Sequence, residues 1–542
     1  MKLIYNVKDK PKFGQLIVFA LQQLLAILAA TIAVPAIIGN GMDPAAAMFG
    51  AGVGTIVYLL FTKFRSPVFL GSSFAFLGPM AAAFAGGVSM QLGYLGLIIG
   101  ALFAGLVYVV IALVVKFAGV KWINKLMPAV VIGPVVALIG LSLAGNAVGD
   151  LQTSNYTRTE NALDEVNVVV VDSSSTPKYV ALDGTEIVPA AAEEASDAEE
   201  ADPVFAAIDK ETNQIRDDVD VTYNKEENTI RATVTTAPGS IFVAIICGLI
   251  TLATIIIAST FGKKTAKLIP FIIGILAGYL AAFIFFLIGR ATGNDALKVI
   301  NFSSVHALFA DGVTFSTFIH VPKFTFLTAA KGFSDLGNNL AYIGTIAVAY
   351  IPVAFVVFAE HIADHKNISS IIEKDLLEDP GLHRTLLGDG VGSMAGAFFG
   401  GCPNTTYGES IGCVAITKNA SIATIFCAAV EVIIVSFIAP FVAFINSIPS
   451  CVMGGVCMAL YGFIAVSGLK MLQGVDLGKN RNLFVVSVIL ISGIGGLSLT
   501  FGKVTITTIA CALILGILTN LLVSKKKGDA DDVEDVETQV IK

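Results

Sequence analysis

Residues 400–413 read GGCPNTTYGESIGC, and residues 66–79 read SPVFLGSSFAFLGP. Each stretch interrupts an apolar region with proline, glycine and hydroxyl residues, then opens a short apolar segment. Paired breaks at corresponding places in two halves of a chain are the pattern of an inverted-repeat transporter, whose site is built from broken helices. Non-helical backbone survives at membrane depth only where it is buried in protein or lines a cavity. There the free N–H groups and the positive end of a half-helix become ligand donors. Taken alone, either patch suits a helix-packing surface equally well, because small residues let backbones approach.

The surroundings of the two breaks are those of a membrane protein. Of the 542 residues, 55% are hydrophobic and 14% charged, with a mean hydropathy of +0.81. Apolar runs of roughly 18 residues or more, enough to cross a hydrocarbon core, recur from Gly14 to Val523. We expect an all-α polytopic membrane protein with fourteen spans, near residues 14–39, 44–61, 70–86, 91–115, 127–149, 240–261 and 267–289, then 339–365, 383–400, 405–418, 420–447, 450–472, 481–501 and 504–523. The first run follows Lys2, Lys8, Lys10 and Lys12, is too long for a signal peptide, and is expected to stay in the membrane.

Lysine and arginine mark the cytoplasmic loops of such proteins. Lys63 and Arg65, then Lys116, Lys121 and Lys125, then Lys263, Lys264 and Lys267, then Lys479 and Arg481, and finally Lys525, Lys526 and Lys527 all fall on one side if both termini are cytoplasmic. Residues 150–239 then lie outside the cell. They carry 20 acidic and 6 basic residues, a net −14, so the remaining chain, at −7 overall, carries +7. The centre of this insert, Ala190–Asp202, has little apolar mass to bury and reads as disordered, as does the acidic tail Asp529–Glu537. Its flanks Val166–Val171, Lys178–Ala181 and Thr229–Thr235 are β-rich and suit a small β module; a plain solvated loop is the competing reading.

The seven cysteines lie in or beside membrane segments and read as apolar packers. The five histidines have no zinc-type spacing, and there is no nucleotide-binding loop of the Walker type, so nothing supports an enzyme, an ATP-driven pump, a metal site or a cofactor. No nucleic-acid partner is suggested.

Ionisable groups at membrane depth are costly and are usually retained for function. The segment AEHIADHKN, residues 359–367, ends a long apolar run and carries Glu360, His361, Asp364, His365 and Asn367. Glu360, Asp364 and Asn367 fall at i, i+4 and i+7 and so share one helical face. Such a stripe suits a proton site, or an ordinary helix end reaching water. Glu409 follows the second break.

Together these residues carry a family resemblance. AEHIADHKN at 359–367, EKDLLEDPGLHRTLLGDG at 373–390 and PNTTYGESIGCVAITKNAS at 403–421 resemble the uracil permeases of the nucleobase/ascorbate transporter (nucleobase:cation symporter-2) family. So do LQQLLAILAATIAVPAIIG at 21–39, GSSFAF at 71–76 and VMGGVCMALYGFIAVSGLKML at 452–472; residues 150–239 exceed what the family leads us to expect.

The resemblance implies two inverted repeats of seven helices, with short strands before broken helices 3 and 10. It divides the chain into a core domain (residues 1–126, helices 1–4, and 339–447, helices 8–11) and a gate domain (127–149, 240–338 and 448–523), with a cytoplasmic tail at 524–542. It implies a nucleobase bound between the half-helices by Glu360 and Glu409, with Ser73, Phe74, Tyr407 and Gly408 completing the site and Ala30 packing nearby. Amides near Phe74 and Tyr407 would donate to the base's carbonyls. Glu360 would carry a coupled proton, with Asp364 and His365 as relay candidates. The family pattern has a histidine at the position of Asp364, and one helical step, about 100°, turns His365 away from that face. The expected function is uracil import by symport with H⁺, Na⁺ being the alternative ion, in a homodimer within the cell membrane. A purine permease of the same family and an anion transporter of the same fold are the rivals. The first lacks a glutamine-asparagine signature here, and two buried glutamates argue against the second.

Overall fold

The computed structural model describes residues 3–524 except 120–121, 123–126, 162–165, 173–177, 182–185, 188–203, 210–218, 225–228, 264–265, 268, 311 and 502–503. Lys2, Lys121, Lys125, Lys264, Lys525, Lys526 and Lys527, the acidic centre of the insert (190–202) and the acidic tail (529–537) therefore lie outside the described residues.

The first half begins with α1 (Phe13–Ile38) and α2 (Pro44–Phe61), then a three-residue strand β1 (Leu70–Ser72) and a short helix α3 (Leu77–Ala83). After these come α4 (Met90–Ala118), α5 (Ala129–Ser142) and α6 (Ala144–Leu151), and, beyond the insert, α7 (Ile241–Phe261) and α8 (Pro270–Thr292). The second half repeats the order with α9 (Ala341–Ile372), α10 (Leu382–Gly400), β9 (Asn404–Thr406) and α11 (Gly408–Thr417). It closes with α12 (Ile422–Val435), α13 (Ala439–Ser447), α14 (Ser450–Met471), α15 (Asn480–Ile494) and α16 (Thr508–Val523). Among the described residues, eight helical spans are long and apolar enough to cross a bilayer, α5 and α6 counting together as one. Four shorter apolar segments, Phe74–Ala83, Ile422–Val435, Asn480–Ile494 and Thr508–Val523, accompany them.

Local chemistry explains several boundaries. Asp43 caps α2 by accepting from the Ala45 amide at 2.9 Å, with Pro44 at the first helical position. Ser89 caps α4 through the Leu92 amide at 3.2 Å. The expected span 420–447 is two helices, because Pro440 starts a new helix at Ala439 and cannot continue an old one. The backbone groups freed at this break pair with another segment: His320 N donates to Phe437 O and Ala439 N to Phe318 O. Likewise 127–149 divides at Leu143, and 481–501 ends as helix at Ile494, before a hairpin of β10 (Leu499–Phe501) with β11 (Val504–Ile506).

α9 departs most from expectation. Its apolar run fades after Phe358, yet the helix continues to Ile372, so the ionisable cluster sits within the helix instead of at its end. His361 and His365 are fully buried there.

The chain divides into two compact units. The larger comprises residues 1–153, 244–281 and 302–542 and holds both strand breaks. Within it, β1 and β9 pair antiparallel, with Leu70 opposite Thr406, Gly71 opposite Thr405 and Ser72 opposite Asn404. α2 and α10 pack backbone to backbone: a Cβ on Gly54 would stand 2.7 Å from the Gly392 carbonyl oxygen. Among its described residues, the smaller unit, residues 154–243 and 282–301, holds β2 (Arg158–Asn161), β3 (Val166–Asp172), β4 (Lys178–Ala181), β5 (Glu186–Ile187), β6 (Val204–Asp209), β7 (Val219–Asn224) and β8 (Thr229–Thr236) in two antiparallel sheets, ordered β2-β8-β7 and β5-β4-β3-β6. Its strands include Val166–Asp172, Lys178–Ala181 and Thr229–Thr236, where the β-rich flanks were expected. Also in this unit, Asp295 meets Lys298 at 2.5 Å and Arg158 at 3.1 Å, and the lysine hydrogen bond holds its carboxyl below the usual carboxylate range.

Candidate functional site

The two strands have fully buried burial patterns and carry the site between the starts of the helices that follow them. Gly71 is required at the joint, since any Cβ there would collide with the ring of Tyr407. That ring is fixed by its hydroxyl, which donates to Ser72 O at 2.7 Å. Asn404 anchors the other strand by donating from Nδ2 to Gly50 O at 3.1 Å.

A cavity of about 420 Å³ opens beside this joint, lined by Ser73, Phe74, Glu360, Asp364, Asn367, Thr405, Tyr407, Gly408 and Glu409. The three residues expected on one face of α9 do converge on it. Asp364 Oδ2 accepts from the Thr406 hydroxyl at 2.7 Å, tying α9 to β9. The hydroxyls of Ser73 and Thr405 are buried and have no hydrogen-bond partner among the described residues, an arrangement that favours a polar ligand in the cavity. Phe74 supplies an apolar wall and meets Tyr461 of α14 edge-on at 5.6 Å between ring centroids.

Two amides at the strand ends are already engaged. Tyr407 N already donates to Phe69 O at 3.1 Å, and Ser73 N to Pro403 O at 2.9 Å. Among the described residues, the donors left to a ligand are those of the first helical turns, at Gly408 and at Phe74 and Ala75, which have no intrahelical acceptor. Ala30 is buried but does not line the cavity; Ala26, one turn earlier on α1, does. His365 does not line it either: Tyr58 Oη lies 2.7 Å from its Nε2, and its Nδ1 lies 2.8 Å from His361 O.

Lys267 and Ser259 also line the cavity and were not singled out from the sequence. A second cavity of about 640 Å³, lined by Ile37, Asn40, Asn146 and Thr508 among others, lies at the C-terminal end of α1. Phe74, Ala75 and Ile139 line both cavities and so separate them.

Broken helices meeting at a paired-strand joint, with ionisable groups facing a central cavity, define a multi-pass membrane transporter of the inverted-repeat fold. The transmembrane domain of a cyanobacterium bicarbonate transporter, BicA, superposes with a TM-score of 0.52 at 13% identity, covering 96% of this chain and 100% of that one. The anion transporter SLC26A9 gives 0.51 at 9% identity, covering 95% of this chain and 66% of that one. These likenesses concern the fold alone. The Permease family (Xan_ur_permease) matches residues 14–176 and 239–501, and the chain belongs to it. It is 34% identical to the uracil permease of Bacillus caldolyticus over 98% of this chain and 97% of the relative. It is 30% identical to the uracil permease of Escherichia coli K12 over 95% and 93%. The relatives are permeases, which are transporters and not enzymes.

Proposed function

We propose that this permease imports uracil in symport with a proton. The observation that carries the reading is the convergence of Glu360, Asp364 and Glu409 with Phe74 and the unpartnered hydroxyls of Ser73 and Thr405 on one cavity. Uracil is a flat ring whose edge alternates N–H donors and carbonyl acceptors. Glu409 and Glu360 accept from the ring N–H groups, and charge assistance strengthens those bonds. First-turn amides at Gly408 and at Phe74 donate to the carbonyls, while Phe74 covers the ring face. Three like charges in one enclosed site repel, and a proton taken up with the base offsets one of them. Relatives named uracil permeases across nearly the full length support the substrate.

In this reading the helices bearing the site, α1 to α4 and α9 to α13, form a core domain. It moves against a gate domain of α5 to α8 and α14 to α16, giving alternating access. The 420 Å³ cavity, with Lys267 at its margin, faces the cytoplasm, and the 640 Å³ cavity faces outside. Both termini are cytoplasmic, and two copies associate through their gate domains. Proteoliposomes loaded by an imposed proton gradient test this with labelled uracil, xanthine and sulfate. Uracil uptake that stops when the gradient is collapsed is the expected result; uptake of xanthine or sulfate in its place overturns it.

A further inference from the structure

Behind the cavity face of α9 lies a pair of groups that base binding does not use. His361 Nδ1 lies 2.6 Å from Asp389 Oδ2 of α10, and both side chains are fully buried. His361 Nε2 lies 3.0 Å from the Thr385 hydroxyl. That hydroxyl spends its single hydrogen on Leu382 O at 3.0 Å, so in this contact it accepts and the imidazole donates. With Nε2 protonated, the short contact on the other side of the ring needs a proton of its own between Nδ1 and Oδ2. The pair is then imidazolium with carboxylate, or imidazole with carboxylic acid, and is neutral in either form. Asp389 Oδ1 has no hydrogen-bond partner among the described residues, an environment that suits a neutral pair and not a lone buried anion.

We propose that His361 and Asp389 form a proton-holding lock, a pair of positioning residues that fixes the rotation of α9 against α10 and so keeps Glu360 and Asp364 on the cavity face. The lock works one residue away from Glu360 and contacts no ligand. Losing its proton leaves a net negative charge in the interior. Thr385 must then turn its hydrogen from Leu382 O to Nε2, so the first turn of α10 gives up a bond and the contact between the helices reverses its donor. The titratable groups around the pair are Glu360, Asp364 and His365 on α9, Tyr108 on α4 and Tyr58 on α2. The His365 ring stacks on His361 at 4.0 Å, and the Tyr108 ring lies 6.3 Å from it.

The inference rests on the uracil reading, and one experiment separates the two. Uracil binding to the purified full chain is followed from about pH 5 to about pH 9, where histidine and shifted carboxyl groups titrate. The variants are Asp389→Asn, whose amide donates to Nδ1 of a neutral imidazole while Nε2–H stays on Thr385, so that no shared proton is needed, and Asp389→Leu, which removes the lock. Asp389→Asn is expected to reduce by about one the slope of log Kd against pH on the alkaline side, the value for one linked proton. Asp389→Leu is expected to weaken binding about tenfold or more at every pH, the loss of at least one charged hydrogen bond's worth of alignment. Wild-type slope in Asp389→Asn, or wild-type affinity in Asp389→Leu, overturns the lock. Should Asp389→Leu fail to fold, the slope in Asp389→Asn decides alone. Wild-type protein that binds no uracil at any pH overturns the uracil reading and this inference with it.

Discussion

Thr406 and Asp364 join the strand that carries half of the site to the helix that carries the other half, the Thr406 hydroxyl donating to Asp364 Oδ2 at 2.7 Å. The bond aims one carboxylate oxygen and leaves the other to the cavity. Thr406→Val should therefore weaken uracil binding by about 1.5–3 kcal/mol, the range for a hydrogen bond to a charged group, while Thr406→Ser should restore most of it. Calorimetric titration of the purified variants checks this. Equal affinity in Thr406→Val and wild type would mean that Asp364 is held by something else.

Glu360→Gln and Glu409→Gln separate charge from shape. Each amide keeps the size of the side chain but offers a neutral acceptor, so binding should fall roughly tenfold or more in both. If Glu360 carries the coupled proton, Glu360→Gln alone should also abolish uracil-driven acidification inside proteoliposomes while equilibrium exchange of the base persists. Acidification at the wild-type rate in Glu360→Gln would move the proton to another group.

Gly71→Ala tests the strand joint. The new methyl group meets the Tyr407 ring, so the ring or β1 must shift, at a cost of about 1–3 kcal/mol for overpacking. Tyr407→Phe, which loses only the bond to Ser72 O, should cost about 1 kcal/mol. Melting in detergent reads both; Gly71→Ala should lower the midpoint further and weaken uracil binding, and an unchanged midpoint would argue against this packing.

Acid stability should depend on Asp43, which lies just outside α2. Burial alone would raise its carboxyl, but acceptance from His320 at 3.3 Å and from the amides of Lys323 and Ala45 outweighs burial and holds it below its ordinary value of 3.8. A folded-state value below the unfolded one contributes stability that is complete above the unfolded value and is lost as pH falls through the folded one. Wild-type melting temperature should therefore drop on acidification below about pH 4. Asp43→Ala should start lower at neutral pH, by about 1 kcal/mol for the lost cap, and should show less of the acid drop. An identical acid drop in the variant would assign it to other carboxyl groups.

Much of the site could be read along the chain because helical spacing alone puts Glu360, Asp364 and Asn367 on one face, and the two breaks announce themselves by composition. The spacing also placed His365 off that face. What spacing could not supply was the identity of the neighbour. His361 and His365 sit one turn apart on α9, but only the packing of α10 and α2 tells which partner each meets, Asp389 for one and Tyr58 for the other. Asp389 itself, in LLGDGVGS, carries a local signal, a carboxyl group flanked by glycines in an apolar segment. The end of α9 lies beyond the reach of hydropathy for a related reason: a charged residue counts as a reason to leave the membrane, whereas here the interior provides partners. The strand pairing was out of reach because β1 and β9 lie far apart along the chain, and nothing local to either encodes its register.

That pairing has a mechanical consequence. Three residues from each half of the chain are stitched together across the pseudo-symmetry of the fold, directly before the two short helices that face the cavity. A tilt of one half-helix is passed to the other through six backbone positions with no flexible linker between them. Phe74 and Glu409, contributed by opposite halves of the sequence, are therefore held in one fixed spacing by a seam that belongs to neither half alone.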